Sequence, residues 1–596
     1  MAEVSMINRV AQLIRTRWAL ALTAVLLSAC AGHAPKGSSP APSPAHTDVT
    51  ALTVMAEADL KRGDCRSASE TYAKAAAVGN VTLARRATQV AMACEHLPAA
   101  WTSATRWRAL APGDREADAL YAAVALKLYR TAEARQAIRD FWRAEEQGAA
   151  APGSAGAAPG QTPGAGPAAR TQDRASRSMT ELTALLLEES DASAVLTAMS
   201  GALEPTANSP ETLTLLGELA LAAYDGQRAE SYAQRALQLD PKDPAALRVL
   251  ARAYVMRGDG SQAVATARRA QADDATRGGF ELAEILASLD RSEEAHQQLE
   301  HLRAGGAPQA EVDRRLALLA FNSGDMKEAR QRFTDLLSNG EGNDAAQLYL
   351  ADIAARDGDP EGAIAAYRRL YDSSVALSAR SRAAALLLDR SARTEALALL
   401  DDYAADHPED ELDLTLAKAR LLADHGEADT SLALLSAALE RHPQHPSIEY
   451  DRAVILEQAG HVHESVDALE RMLVERPNDP TLQNALGYTL ADHTLELAHA
   501  ESLIRQALTV MPDNPAALDS LGWVRFRQGD SKGATEILER AYSLSHDGEI
   551  AAHWGEALWV SGQRNEARRV WAAALAREPD SKPLKATIKR LLPDAK

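Results

Sequence analysis

The sequence predicts an all-α superhelical solenoid of about 14–15 helix-turn-helix hairpins, closed by a C-terminal capping helix. Three observations lead there. Hydrophobic residues make up 46% of the chain but aromatics only 4%, and the Ala and Leu that fill the difference suit close-packed helices better than sheets. A small residue recurs at a nearly constant interval over some five hundred residues. An internal repeat of that length replaces the three or four separate domains that 596 residues would otherwise suggest.

The first 29 residues read as a processing segment. Arg9, Arg15 and Arg17 give it a positive start, and Trp18 to Leu27 is an apolar run too short to span a bilayer. Its end, Leu27-Ser28-Ala29-Cys30, resembles the lipobox of bacterial lipoproteins. That resemblance implies cleavage before Cys30 and lipidation of its sulfur, palmitate included. The alternative is an ordinary secretory signal ending near Ala29 to Ala31, and either reading exports the chain. Ala31, where an Asp would divert sorting, resembles the pattern that sends lipoproteins to the outer membrane, so the body is expected to be lipid-anchored and to face the periplasm. Residues 30–49 form a Pro/Ser-rich tether. Extended, it reaches on the order of 55 Å.

The repeat shows best in 210–243, PETLTLLGELALAAYDGQRAESYAQRALQLDPKD. Gly217 takes the small position of a first helix, Ala229 and Ala236 those of a second, Gly226 the turn and Pro241 the stop. Leu213, Leu216 and Ala220, at i, i+3 and i+7, form a stripe that one hairpin cannot bury alone. The residue opening each second helix runs Ala68, Ala100, Ala134, Ala194, Ala229, Ala263, Ala295, Ala329, Ala363, Ala396, Ser431, Ser465, Ala500, Ala534, Ala567. Every gap but one lies between 32 and 35 residues, and the hairpins around Ala134 and Ala194 fit least well. The 34-residue helix-turn-helix with these small positions resembles the tetratricopeptide repeat over nearly the whole mature chain.

The exceptional gap holds QGAAAPGSAGAAPGQTPGAGPAARTQ, a Gly/Ala/Pro stretch with no apolar period. Residues 147–177 are therefore expected to be a disordered linker, either a hinge or a neutral insertion. It divides N-terminal hairpins at 50–146 from a main array at 178–580. Pro579 stops the last hairpin, and in the final 581–596 segment LKATIKRLL reads as one amphipathic cap.

Catalytic patterns are missing from the sequence. His463-Glu464-Ser465-Val466-Asp467 approaches HExxH, but Asp467 replaces the second histidine and Ser465 falls on a packing position. There is no GxSxG, no phosphate-binding GxxxxGK[ST] and no CxxC, and the fifteen histidines show no ligand spacing. The chain is expected to be no enzyme and to need no metal or cofactor. Formal charge is −19, and −21 once residues 1–29 are removed, which argues against nucleic acid as a partner.

Cys65 opens the second helix of hairpin one and Cys94 ends the first helix of hairpin two. Neighbouring helices in such a stack run antiparallel, so these ends meet; the pair is either a disulfide or two small buried residues. In repeat arrays of this type the inner groove takes the ligand, which directs attention to Asn484 and Tyr488, then Asp519, Trp523 and Arg527, then His553, Glu556 and Trp559. Aromatics are scarce elsewhere and are frequent interface anchors. The tryptophans equally fit a core beside Trp554 and Trp571. Arg248 with Arg252 supplies only half of the Lys/Arg and Asn clamp some relatives use for a peptide carboxylate.

The passages NALGYTLADHTLELAHAESLIRQAL, LDSLGWVRFRQGD and AAHWGEALWVSGQRNEA are similar to the C-terminal repeats of large proteobacterial tetratricopeptide lipoproteins, among them the outer-membrane partners of carboxyl-terminal processing proteases. The resemblance implies a non-catalytic adaptor that binds such a protease and presents peptidoglycan hydrolases to it. An assembly lipoprotein for pili, polysaccharide export or outer-membrane proteins is the alternative.

Overall fold

The computed structural model describes residues 49–150 and 167–592, apart from 63, 95, 129, 205–208, 341–342, 408–409, 443–444 and 580. The leader, Cys30 and the tether before Val49 lie outside the described residues, as does the middle of the predicted linker. The linker's two ends do not: helices Thr131–Ala150 and Pro167–Glu189 run into it from either side.

Among the described residues all regular structure is helical, in 31 helices. Local chemistry sets their limits. Asp114, Asp191, Asp243, Asp479 and Asp547 each accept backbone N–H bonds from the first turn they precede, which satisfies donors the helix leaves open. Pro244, Pro360, Pro446, Pro480 and Pro515 open their helices, where a missing N–H costs nothing.

The period predicts the packing. Of the fifteen marker positions only Ala194 keeps solvent contact; the other fourteen, Ser431 and Ser465 included, are fully buried. The facing helix is equally constrained. A Cβ on Gly487 would stand 2.5 Å from Ile504 Cγ1, one on Gly522 2.5 Å from Leu538 Cγ, and one on Gly555 would collide with the Trp571 indole nitrogen. The two helices of these hairpins touch where neither has a side chain to spare.

The described residues fall into two compact units divided between Ala223 and Tyr224. The first contains three paired hairpins, between Val49 and Ala150, followed by helices Pro167–Glu189, Ala192–Leu203 and Pro210–Ala222. There Ala192–Leu203 packs against Thr131–Ala150 more than along Pro167–Glu189, which accounts for the accessible Ala194. The second unit opens with Gly226–Leu239, continues through ten paired hairpins from Pro244 to Arg577, and ends in Lys582–Leu591, whose Leu584 is buried against Gly548–Val560. Thirteen of the fifteen candidate hairpins are thus paired helices within one unit. The segment that fits the repeat pattern best, 210–243, is an exception, because its halves belong to different units. Its turn residue Tyr224 adopts a left-handed φ of 54°, and its carbonyl accepts from the distant Asp513 N–H.

Candidate functional site

The C-terminal hairpins stack so that their first helices, Pro480–Asp492, Pro515–Arg527 and Gly548–Val560, lie side by side. Residues two hairpins apart meet there: the Tyr488 hydroxyl donates to Glu549 Oε1 at 2.7 Å, across the helix between them. Burial and the adjacent carboxylate push the Tyr488 phenol well above its ordinary value, so it stays a donor. The same crowding raises the Glu549 carboxyl, although its side chain keeps solvent access.

Beneath this contact the polar groups are paired. Asp519 accepts from His553 Nδ1, with both oxygens at 3.0 Å, and both side chains are buried. Desolvation alone would lower the His553 pKa, but the charge and hydrogen bond of Asp519 outweigh it and the net shift is upward. The imidazole stacks on Trp523 at 4.1 Å, and Trp523 Nε1 donates to Asp492 at 2.9 Å. Arg527 lies 5.5 Å from the Trp523 ring and bonds Thr494. Glu556 receives both Arg590 amino groups from the capping helix.

The sequence-predicted groove residues therefore divide by depth. Asp519, Trp523, His553 and Glu556 are buried and bonded inside the array. Asn484, Tyr488, Arg527 and Trp559 are half-buried. Asn484 Oδ1 is enclosed without a hydrogen-bond donor. Trp559 leans on Trp571 at 5.8 Å, with the Arg564 and Arg568 guanidiniums 5.0 and 5.3 Å from its ring. Exposed Val560 follows it.

Sequence reasoning missed Asp492, Glu549 and Arg590, whose partners are set by the stacking of successive hairpins and have no local signature. It also missed that Glu457, Asp492 and His493 bring ligand-type atoms within 4.8 Å of one another. These groups have protein partners: His493 Nε2 and Glu457 Oε1 are 2.7 Å apart, and Asp492 serves Trp523. Other motifs fall into place as packing. Ser465 of the HExxH-like string is fully buried in helix Val462–Glu475. Arg248 and Arg252 face Glu281 and Glu284 of the next hairpin, at 3.9 and 3.7 Å. In the first unit, Cys65 and Cys94 form a disulfide with their Cα atoms 5.3 Å apart. No described helix is long and apolar enough to cross a membrane.

Residues 220–278, 314–376 and 416–480 match tetratricopeptide-repeat family profiles. A tetratricopeptide repeat-containing protein of Pseudomonas aeruginosa, PA4667, is 30% identical over 213 residues, which is 36% of this chain and 36% of that protein. The chain thus matches about a third of that relative's length. Among solved structures, the thermophilic tetratricopeptide protein TTC0263 of Thermus thermophilus is 24% identical, covering 30% of this chain and 97% of that one, with a TM-score of 0.28. The Cut9–Hcn1 hetero-tetramer of the APC/C is 14% identical, covering 92% and 97%, with a TM-score of 0.29.

Proposed function

From the premise that this chain is a tetratricopeptide-repeat protein, a scaffold for protein–protein interaction, we propose that it is an adaptor anchored to the outer membrane through lipidated Cys30. Facing the periplasm, it binds a carboxyl-terminal processing protease and brings cell-wall hydrolases to it for degradation. The lipobox-like Leu27–Cys30 supports the location, and the C-terminal motif of residues 484–567 supports the partner.

The observation that carries the reading is that this motif builds one continuous face. Tyr488, Asn484, Arg527 and Trp559 line it half-exposed, and the Asp519–His553–Trp523–Asp492 cluster beneath supports Tyr488, against the His553 ring, and Arg527, against Trp523 and Asp492. Aromatic rings on a rigid floor lose little freedom on binding and supply large contact area. No step of catalysis is assigned to the chain: its function is to raise the local concentration of two other proteins.

Affinity purification of the lipidated protein from envelope extracts, with mass spectrometry after a salt wash, tests this. A carboxyl-terminal processing protease recovered with a cell-wall hydrolase is the expected result, and its loss from a Trp559→Ala/Tyr488→Ala variant would place the contact. Pilus, polysaccharide-export or outer-membrane assembly components in its place would transfer the protein to the alternative class.

A further inference from the structure

The second unit closes on itself. Asp513 N–H donates to the Tyr224 carbonyl at 2.8 Å, and Gly226 N–H donates to Asp513 Oδ2 at 2.9 Å, across 287 residues. Further along the same edge, Asp290 takes His546 Nε2 at 2.7 Å on one oxygen and Arg577 on the other, across 256 and 287 residues. Lys582, at the start of the cap, reaches the Asp424 carbonyl. Two of the offsets are the same, 287 residues for both Gly226–Asp513 and Asp290–Arg577, while Lys582 and Asp424 are only 158 apart; in each case a turn inside an earlier hairpin meets the junction between later helices.

The local backbone is shaped for these contacts. Tyr224, Asp290 and His546 are three of only six described non-glycine residues with positive φ, at 54°, 59° and 56°. Gly226 is required by proximity, since a Cβ there would stand 2.9 Å from Asp513 Oδ2 and 3.0 Å from Arg257 Cγ. The energetics of this seam differ from those of the hairpins. Hairpins are joined by buried Ala and Leu, whereas the seam rests at one end on a backbone–backbone bond and a backbone bond to the buried Asp513 carboxylate, and at the other on ion pairs whose Asp290 side chain is 50% exposed. Exposed pairs of that kind contribute little and are screened by salt.

We propose that this seam is a latch, which opens while every hairpin stays folded and so controls access to the inner face of the second unit. Asp290 and Asp513 are its two clasps.

Amide hydrogen exchange on the full chain tests it directly. Gly226 is the first residue of its helix and has no intrahelical acceptor, so its N–H is protected only while Asp513 is in place. At low salt the Gly226 and Asp513 amides are expected to exchange at least roughly tenfold more slowly than free amides. That protection is expected to vanish near 1 M salt and in Asp290→Asn, which keeps the left-handed turn while removing the charge, with small-angle scattering showing a larger radius. Helix amides such as those of Leu486 and Leu538 are expected to stay protected throughout. Two results overturn the proposal: unprotected Gly226 and Asp513 amides at low salt, or protection that survives both salt and Asp290→Asn until the whole unit unfolds.

Discussion

The two units solve the same problem with different means. The second stacks ten hairpins in strict succession, and each buries its apolar stripe on the next, so it needs no covalent tie. The first has three paired hairpins, then a long interruption, then helices that pack out of pattern around Ala194. It has fewer regular interfaces, and among the described residues it alone carries a disulfide. A regular array spreads stability over many equivalent interfaces; an interrupted one concentrates it in a few strong ties.

The largest expected effect breaks the tie itself. Cys65 and Cys94 are 29 residues apart, and a closed loop of that size restrains the unfolded chain by about 3–4 kcal/mol. A Cys65→Ser/Cys94→Ser variant is expected to lower the melting transition of the first unit and leave that of the second where it was. Calorimetry resolves the two. Equal shifts in both would mean that the units do not melt independently and that the disulfide does not serve the first unit alone.

Within the second unit, the sensitive points are the glycines at closest helix approach. Gly522→Ala places a methyl 2.5 Å from Leu538 Cγ. Helix propensity would favour that substitution by about 1 kcal/mol, but overpacking of a tight interface costs about 1–3 kcal/mol and is expected to win. Urea unfolding checks the sign: a more stable Gly522→Ala would show that the hairpins are packed more loosely than the repeat pattern requires.

Much of this was legible in the sequence for a physical reason. Two helices that touch at their axes admit only Gly, Ala or Ser, so the contact writes itself into the chain every 32–35 residues. The helix starts also have local causes, in Asp and Asn caps and opening prolines, which the small-residue period by itself does not locate. The division at Ala223/Tyr224 was not, because 210–243 obeys every local rule and the Tyr224–Asp513 bond has no local signature. In the candidate site, composition singled out Trp523 and Trp559, but their depth depends on neighbours one hairpin away: Asp492 and His553 enclose the first, while the second stays at the rim.

A smaller effect concerns pH. The folded His553 pKa lies above its ordinary 6.5, so the native state binds more protons than the unfolded chain wherever the two differ. The Asp519–His553 pair therefore contributes stability that is complete below pH 6.5 and is lost as pH rises through the folded value. The stability gap between wild type and His553→Gln is expected to shrink from pH 6 to pH 9, measured by urea unfolding at each pH. A gap that widened over that range would mean that desolvation, not Asp519, governs the imidazole.

The smallest expected effect compares two hairpins that differ at one atom. Ser431 and Ser465 occupy the same marker position and are both fully buried. Ser431 Oγ donates to the Ala419 carbonyl at 2.7 Å, in the facing helix, while Ser465 Oγ is enclosed without a partner. A buried hydroxyl with its bond contributes about 1 kcal/mol, and one without it costs a similar amount in lost hydration. Alanine at 431 is therefore expected to destabilise the second unit by about 1 kcal/mol. Alanine at 465, the residue most of the other hairpins already use, is expected to be neutral or stabilising. Both changes remove the same oxygen from the same place in the repeat, so a difference of sign between them isolates the hydrogen bond from the packing. Equal losses would show that Ser465 finds an acceptor after all and that the two hairpins are more alike than their geometry indicates.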